Sequence, residues 1–181
     1  MDTAWDKTAS LYGFQCNGCD ESCCETEFYH HTLIEKTYLL HGLSQMPPPA
    51  VIAAKKRAQK VCTKRNIATK KGGNIRVMCP LNQDGKCIIY RFRPMICRLH
   101  GIPHELSKFE NNSMKDPLIS YKPGALTSPG CKAGSELFSS GYIPFNRTPF
   151  YMEMAEIEKE YQKSVGTITR NRQTIAQMLI K

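Results

Sequence analysis

Four cysteines fall within nine residues, Cys16, Cys19, Cys23 and Cys24, separated only by Asn17-Gly18 and Asp20-Glu21-Ser22. Thiols crowded among glycine and polar residues are poorly suited to filling a core and well suited to wrapping a metal, so this segment predicts an irregular loop rather than a helix or strand. A second set, Cys79, Cys87, Cys97 and Cys131, brings the candidate ligands to eight. Two four-cysteine sites become possible. The ninth cysteine, Cys62, falls on an apolar stripe with Val51, Ala54, Ala58 and Val61 and reads as a small buried hydrophobe.

Spacing carries the chemistry further. Cys16, Cys19 and Cys23 form C-x2-C-x3-C, which can bind three corners of a cluster and leave the fourth ligand to a distant part of the chain, as in ferredoxin-type binding. A zinc ribbon would show two C-x2-C knuckles, whereas the second group has seven, nine and thirty-three residues between successive cysteines. An iron–sulfur cluster of the 4Fe-4S type is therefore the leading cofactor, and zinc is the alternative. Adjacent Cys23 and Cys24 cannot easily face one small tetrahedral ion, so they are expected to serve different sites or different edges of one larger cluster. His30, His31, His100 and His104 lie close enough in sequence to serve as substitute ligands.

The run Cys79-Pro80-Leu81, Gly85-Lys86-Cys87, Tyr90, Arg93-Pro94 and Cys97-Arg98, following the N-terminal cluster, resembles the CxxCxxCC cysteine-cluster family of YkgJ-like zinc- or iron-chelating proteins. The resemblance spans residues 14 to 131, with C-x2-C-x3-CC here where the family commonly has C-x2-C-x2-CC. It implies metal binding by Cys16, Cys19, Cys23, Cys24, Cys79, Cys87 and Cys97, and by Cys131 at a later, less closely matched position. The family is defined by its chelating motif and not by a shared reaction. Flagellin lysine methylases are similar through this domain, and their activity does not carry over to a chain this short.

Other enzyme classes fit less well. Lys70-Lys71-Gly72-Gly73 lacks the spacing of a phosphate-binding loop, and all-cysteine sites are generally closed, unlike those of zinc hydrolases. No catalytic residue or reaction is assigned. Nine cysteines, no apolar run of about 18 residues and no leader-like N-terminus give the expectation of a cytoplasmic, metal-binding chain without membrane contact. Its use would be electron transfer or redox-linked chemistry with an unknown redox or protein partner.

The formal charge is +9, and two four-thiolate sites at about −2 each would lower it to roughly +5. Lys55, Lys56, Arg57, Lys60, Lys64 and Arg65 read as one basic helix face, with Lys70 and Lys71 beyond it and no acidic residue between. A solvated face is favoured over nucleic-acid binding. The alternative function is a zinc-stabilised module that applies this face to nucleic acid or an acidic protein.

For 181 residues of ordinary apolar content, one domain spanning 1–181 is expected: mainly α with irregular cysteine-bearing loops, a small metal-stabilised α+β fold. Helices are expected over 25–41, stopping at Gly42; from Pro47-Pro48-Pro49 to Lys71; and through a C-terminal helical segment, 148–181. That segment is expected to fold its Phe150, Met154, Ile157, Tyr161 and Val165 stripe over the core, break at Gly166, and resume through Ile168, Ile175 and Leu179. Brief strands are expected at Ile75–Met78 and Cys87–Tyr90. In the cysteine segment, Gly85 suits a tight turn before Cys87, and Arg91, Arg93 and Arg98 are placed to offset thiolate charge.

Overall fold

The computed structural model describes residues 1–16, 23–73, 75–106, 126–143, 145–170 and 172–180. The chain is mainly helical with two small sheets. The α-helices are α1 (Asp2–Leu11), α2 (Leu33–Ser44), α3 (Pro48–Lys70), α4 (Met95–Leu99), α5 (Ser135–Ser139), α6 (Thr148–Ser164) and α7 (Ile175–Ile180). The strands are β1 (Asn82–Gln83), β2 (Lys86–Cys87), β3 (His104–Leu106), β4 (Leu126–Ser128) and β5 (Phe145–Asn146). The chain divides into two compact units, one of Met1–Cys19 with Cys97–Arg170, the other of Asp20–Ile96 with Asn171–Lys181.

The second unit is built on α3. Pro48 and Pro49 occupy its first turn, where a missing N–H costs nothing. Ala54, Ala58 and Val61 then form a buried stripe at helical spacing, as the sequence predicts. Small residues there let α7 lie close along α3, with Met178 and Leu179 meeting Leu39 and Leu43 of α2 and Leu81 and Ile89 beside the β1–β2 hairpin in one apolar core. Two backbone bonds between His30 and Gln173, of 2.8 and 3.0 Å, tie the C-terminal stretch to the segment before α2.

The helix expected over 25–41 begins later and ends later. Cys23–Glu25 is a single 3-10 turn, and α2 starts only after Thr32, whose hydroxyl accepts from the Glu35 N–H while donating to the Glu35 carboxylate. This reciprocal cap, rather than the acidic residues at 25 and 27, sets the start. Gly42 does not stop the helix: it lies inside α2, where a Cβ would come within 2.4 Å of the Phe92 ring, so the glycine serves close packing and not a cap.

The strands expected at 75–78 and 87–90 are corrected by a hairpin displaced from both. Asp84 (φ 52°) and Gly85 (φ 80°) make the two-residue loop with positive φ at both positions that matches strand twist, pairing Gln83 with Lys86 and Asn82 with Cys87. Tyr90–Phe92 is a 3-10 turn.

In the first unit, β3 pairs antiparallel with β4 and parallel with β5. Tyr12, Phe14 and Phe138 form an aromatic cluster, with ring centroids of Tyr12 and Phe14 at 5.0 and 5.2 Å from Phe138. α1, not anticipated from sequence, begins with Asp2, which complements the helix N-terminus and pairs with Arg98. α6 starts at Thr148 with Pro149 in its first turn, as expected, but its apolar stripe is not a core: Ile157 is 39% and Val165 45% exposed, and the buried positions are Thr148 and Glu158. Gly166 (φ 65°) ends the helix. Ile168, expected in a second helix, is 97% exposed in non-helical chain, and α7 begins only at Ile175. Among the described residues, no helix is long and apolar enough to cross a membrane.

Candidate metal centre

The hairpin turn and one backbone bond gather three distant cysteines in the second unit. The Cys79 N–H donates to the Cys24 carbonyl at 2.8 Å, so the N-terminal cysteine turn is stitched to the chain entering β1. The Asn82 N–H then donates to the Cys79 carbonyl at 3.0 Å, and the tight Asp84-Gly85 turn brings Cys87 back opposite Asn82. Cys24, Cys79 and Cys87 consequently share one half-buried region at the edge of the apolar core, and Cys79 and Cys87 pack against that core.

Their electrostatics reflect this crowding. Burial pushes the Cys79 thiol up to about 12; the Leu81 and Asn82 N–H groups oppose that, while nearby Cys24 and Cys87 add to it. Burial likewise raises Cys87, with the Ile89 N–H and the Arg93 guanidinium acting against it and Cys24 acting with it. Thiols arranged this way resist ionisation unless a cation arrives to take their charge. Two arginines are positioned to help. Arg93 lies over the Tyr90 ring at 3.5 Å, and Arg57 of α3 donates from Nε to the Pro80 carbonyl at 2.8 Å, directly after Cys79. The Nη2 of Arg57 is buried without a hydrogen-bond partner among the described residues.

In the first unit, three cysteine-bearing segments converge on the aromatic cluster. Cys16 is exposed two residues beyond buried Phe14. The Cys131 N–H donates to the Gly101 carbonyl at 2.7 Å, and Cys97 lies on α4 just upstream of Gly101. Gly130 (φ 86°) has to be glycine here, since a Cβ would sit 2.7 Å from the Phe138 ring and 2.9 Å from the Gly101 carbonyl. Phe14 lines the other side of Gly101. The Trp5 indole donates to the His100 carbonyl at 3.0 Å and Arg147 to that of Leu99, fixing the loop after Cys97.

Cys23 lies with Cys24 on the Cys23–Glu25 turn, and Cys19 lies outside the described residues. No disulfide forms among the described cysteines. Nor is any group of three or more Cys, His, Asp or Glu side chains among the described residues drawn together as tightly as a bound ion requires. Cys62 is half-buried against the apolar core, in keeping with its apolar-stripe reading.

The histidines have other surroundings. His30 is buried in its bridge to Gln173 and burial lowers its pKa to about 4, with His31 adding to the shift. His104 lies in β3, held down to about 4 by burial, then by Arg147. Arg98, expected beside thiolate, pairs with Asp2. Arg57, assigned from sequence to the exposed basic face, is instead the arginine that reaches the Cys79-Pro80 segment. Its position three residues after Ala54 and four before Val61, both buried, places it against the interior. An open cleft of about 420 Å³ in the first unit, lined by Pro103, Thr127, Ser128, Ser135, Phe138 and Tyr142 among others, contains no cysteine. No family model, curated protein or solved structure matches this chain.

Proposed function

We propose that this protein binds metal through two cysteine groups, as iron–sulfur clusters of the 4Fe-4S type, and serves electron transfer or redox-linked chemistry with a partner protein. The observation that carries this reading is the gathering of Cys24, Cys79 and Cys87, far apart in sequence, by one hairpin turn and one backbone bond. Cys23 adds a fourth sulfur to the group in the second unit. Cys16, Cys97 and Cys131, with Cys19 three positions after Cys16, form the group of the first. In this partition Cys23 and Cys24 serve different edges of one larger cluster, and the two groups divide after Cys19.

Four thiols per group are the donor type that such a cluster takes. Thiols that are costly to ionise alone become ligands when a cation compensates them, and buried arginine N–H groups beside them stabilise bound sulfur of net negative charge. A cluster would supply one-electron redox chemistry; zinc in the same donors would supply structural closure. Arg57 and Arg93 would orient and neutralise the second-unit group, and the apolar core behind Cys79 and Cys87 would keep water away.

Anaerobic purification followed by assay of iron, acid-labile sulfide and zinc tests the reading. Brown protein with matching iron and sulfide is expected, with Cys24→Ser and Cys131→Ser each losing about half of both under the two-centre arrangement. Colourless protein carrying zinc would replace the cluster with a structural ion. Protein that takes up neither metal under reconstitution would overturn metal binding altogether.

A further inference from the structure

The net charge of the chain resides wholly in one unit. Asp20–Ile96 with Asn171–Lys181 contains fifteen Lys and Arg against six Asp and Glu, a net of +9, while the other unit has ten of each. Within the charged unit, α3 supplies the concentration: no acidic residue occurs from Pro48 to Lys70.

The structure sorts that helix by side chain. Arg57 and Arg65 turn inward, Arg57 to the Pro80 carbonyl and Arg65 to Glu27 at 2.7 Å. Lys55, Lys56, Lys60, Lys64 and Lys70 are exposed, and none has an ion-pair partner among the described residues. Among the described acids of this unit, Glu25 pairs with Arg76, Glu27 pairs with Arg65, and Glu35 is buried against the Met95 N–H. Lys56, Lys60 and Lys64 follow at i, i+4 and i+8, a ridge of about 12 Å along the axis. Like charges at this spacing destabilise a helix, and nothing on the helix relieves them. Thr63 lies beside this ridge, and Gln59 and Asn66 share the adjoining exposed flank with Lys55 and Lys70, adding neutral donors.

We propose that this face of α3 binds the phosphate backbone of duplex nucleic acid. Lysines with interspersed amide and hydroxyl donors are the side chains that contact phosphate oxygens. The exposed positions of α3 include no aromatic ring on which an unpaired base could stack, which favours a duplex over a single strand. The surface is distinct from the cysteine groups, so the proposal stands whatever metal they hold.

The test is fluorescence anisotropy of the full-length protein, as purified, with a labelled duplex of about 20 base pairs over a salt series. Five lysine contacts predict a slope of log K on log salt of about −4 to −5, and Lys56→Gln/Lys60→Gln/Lys64→Gln should reduce its magnitude by about 3. Circular dichroism should show the triple variant equally helical. Lys159→Gln/Lys163→Gln on α6, exposed in the neutral unit, should leave slope and affinity unchanged. The proposal is overturned by no binding at 50 mM salt, by a slope the triple variant does not alter, or by equal loss in the α6 variant. Polyglutamate competing as well as duplex at equal charge would overturn it in favour of an acidic protein.

Discussion

The two units solve the same problem, holding cysteine-bearing loops in place, with different materials. The first is charge-neutral and closes around aromatic rings, Tyr12, Phe14 and Phe138, beside a three-stranded sheet. The second carries the whole net charge and closes around aliphatic side chains from three helices. Both use a glycine to admit a phenylalanine: Gly42 against Phe92, and Gly134 against Phe138, where an added Cβ would lie at 2.4 and 2.2 Å. The difference teaches where charge can be tolerated. Long helices with small residues on the buried face can expose an unbroken lysine ridge while the interior stays apolar. The short strands and one-turn helices that flank the cysteines of the first unit have no such separation of faces, and their loops are held by side chain to carbonyl bonds from α1 and its C-cap, Trp5 to His100 and Tyr12 to Ile143.

The largest effects should come from opening either core. Leu39 in the second unit and Leu99 in the first are both fully buried. Leu39→Ala and Leu99→Ala should each cost about 2–5 kcal/mol in chemical denaturation, since each leaves a cavity that packed neighbours cannot fill. Hydrogen exchange then sharpens the comparison. Leu39→Ala should lower protection in α2, α3 and α7, and Leu99→Ala in β3, β5 and α6. Equal loss of protection across all of these in both variants would show one cooperative unit and break the contrast.

Acid should weaken the second unit through His30. Its folded pKa, about 4, lies below the ordinary 6.5 because burial disfavours the imidazolium. Below pH 6.5 the unfolded chain takes up a proton that the native chain refuses, so stability falls as pH drops from 6.5 toward 4 and this contribution levels off below. The full difference amounts to about 3 kcal/mol at most. His104 in the first unit shifts in the same direction but is only half-buried, so its share is smaller. His30→Phe retains the backbone bonds to Gln173 and should flatten most of the slope in denaturant midpoints between pH 6.5 and 4. A slope unchanged by that variant and abolished by His104→Phe would assign the acid sensitivity to the first unit.

Much of the second unit is legible because its information is local. The spacing of Ala54, Ala58 and Val61 defines α3, and Pro48-Pro49 defines its start. The start of α2 was also written locally, in Thr32 and Glu35, but apolar residues upstream extend the same period and obscure it. The Asp84-Gly85 turn is a strong hairpin signal whose flanking strands, two residues each, are too short to show alternation. The sheet of the first unit is illegible for another reason: β3 pairs with strands that begin about twenty and forty residues later, and three residues carry no periodicity. For the candidate site, spacing identifies the cysteines as a class. Their grouping depends on the Cys24–Cys79 backbone bond and the hairpin return, which no spacing encodes. Arg57 and Arg65 show the converse, since both fall on the buried side of a helix whose charge pattern alone suggests a uniform basic face.

The smallest effect expected is at Cys62, where the comparison turns on what a cysteine is for. Cys62 sits on α3, half-buried and packed against the aliphatic core beside Val61, so its thiol serves as apolar volume. Cys62→Ala removes one sulfur from a site partly open to solvent, where neighbours can relax, and should cost about 1 kcal/mol. Metal content, measured as iron, zinc and sulfide per chain, should not change. Cys79 lies against the same core and is even farther from the N-terminal cysteines in sequence, yet Cys79→Ser should lower metal content because the hairpin puts it with Cys24 and Cys87. Loss of a metal equivalent in Cys62→Ala, with retention in Cys79→Ser, would reverse the assignment and make α3 itself the source of a ligand.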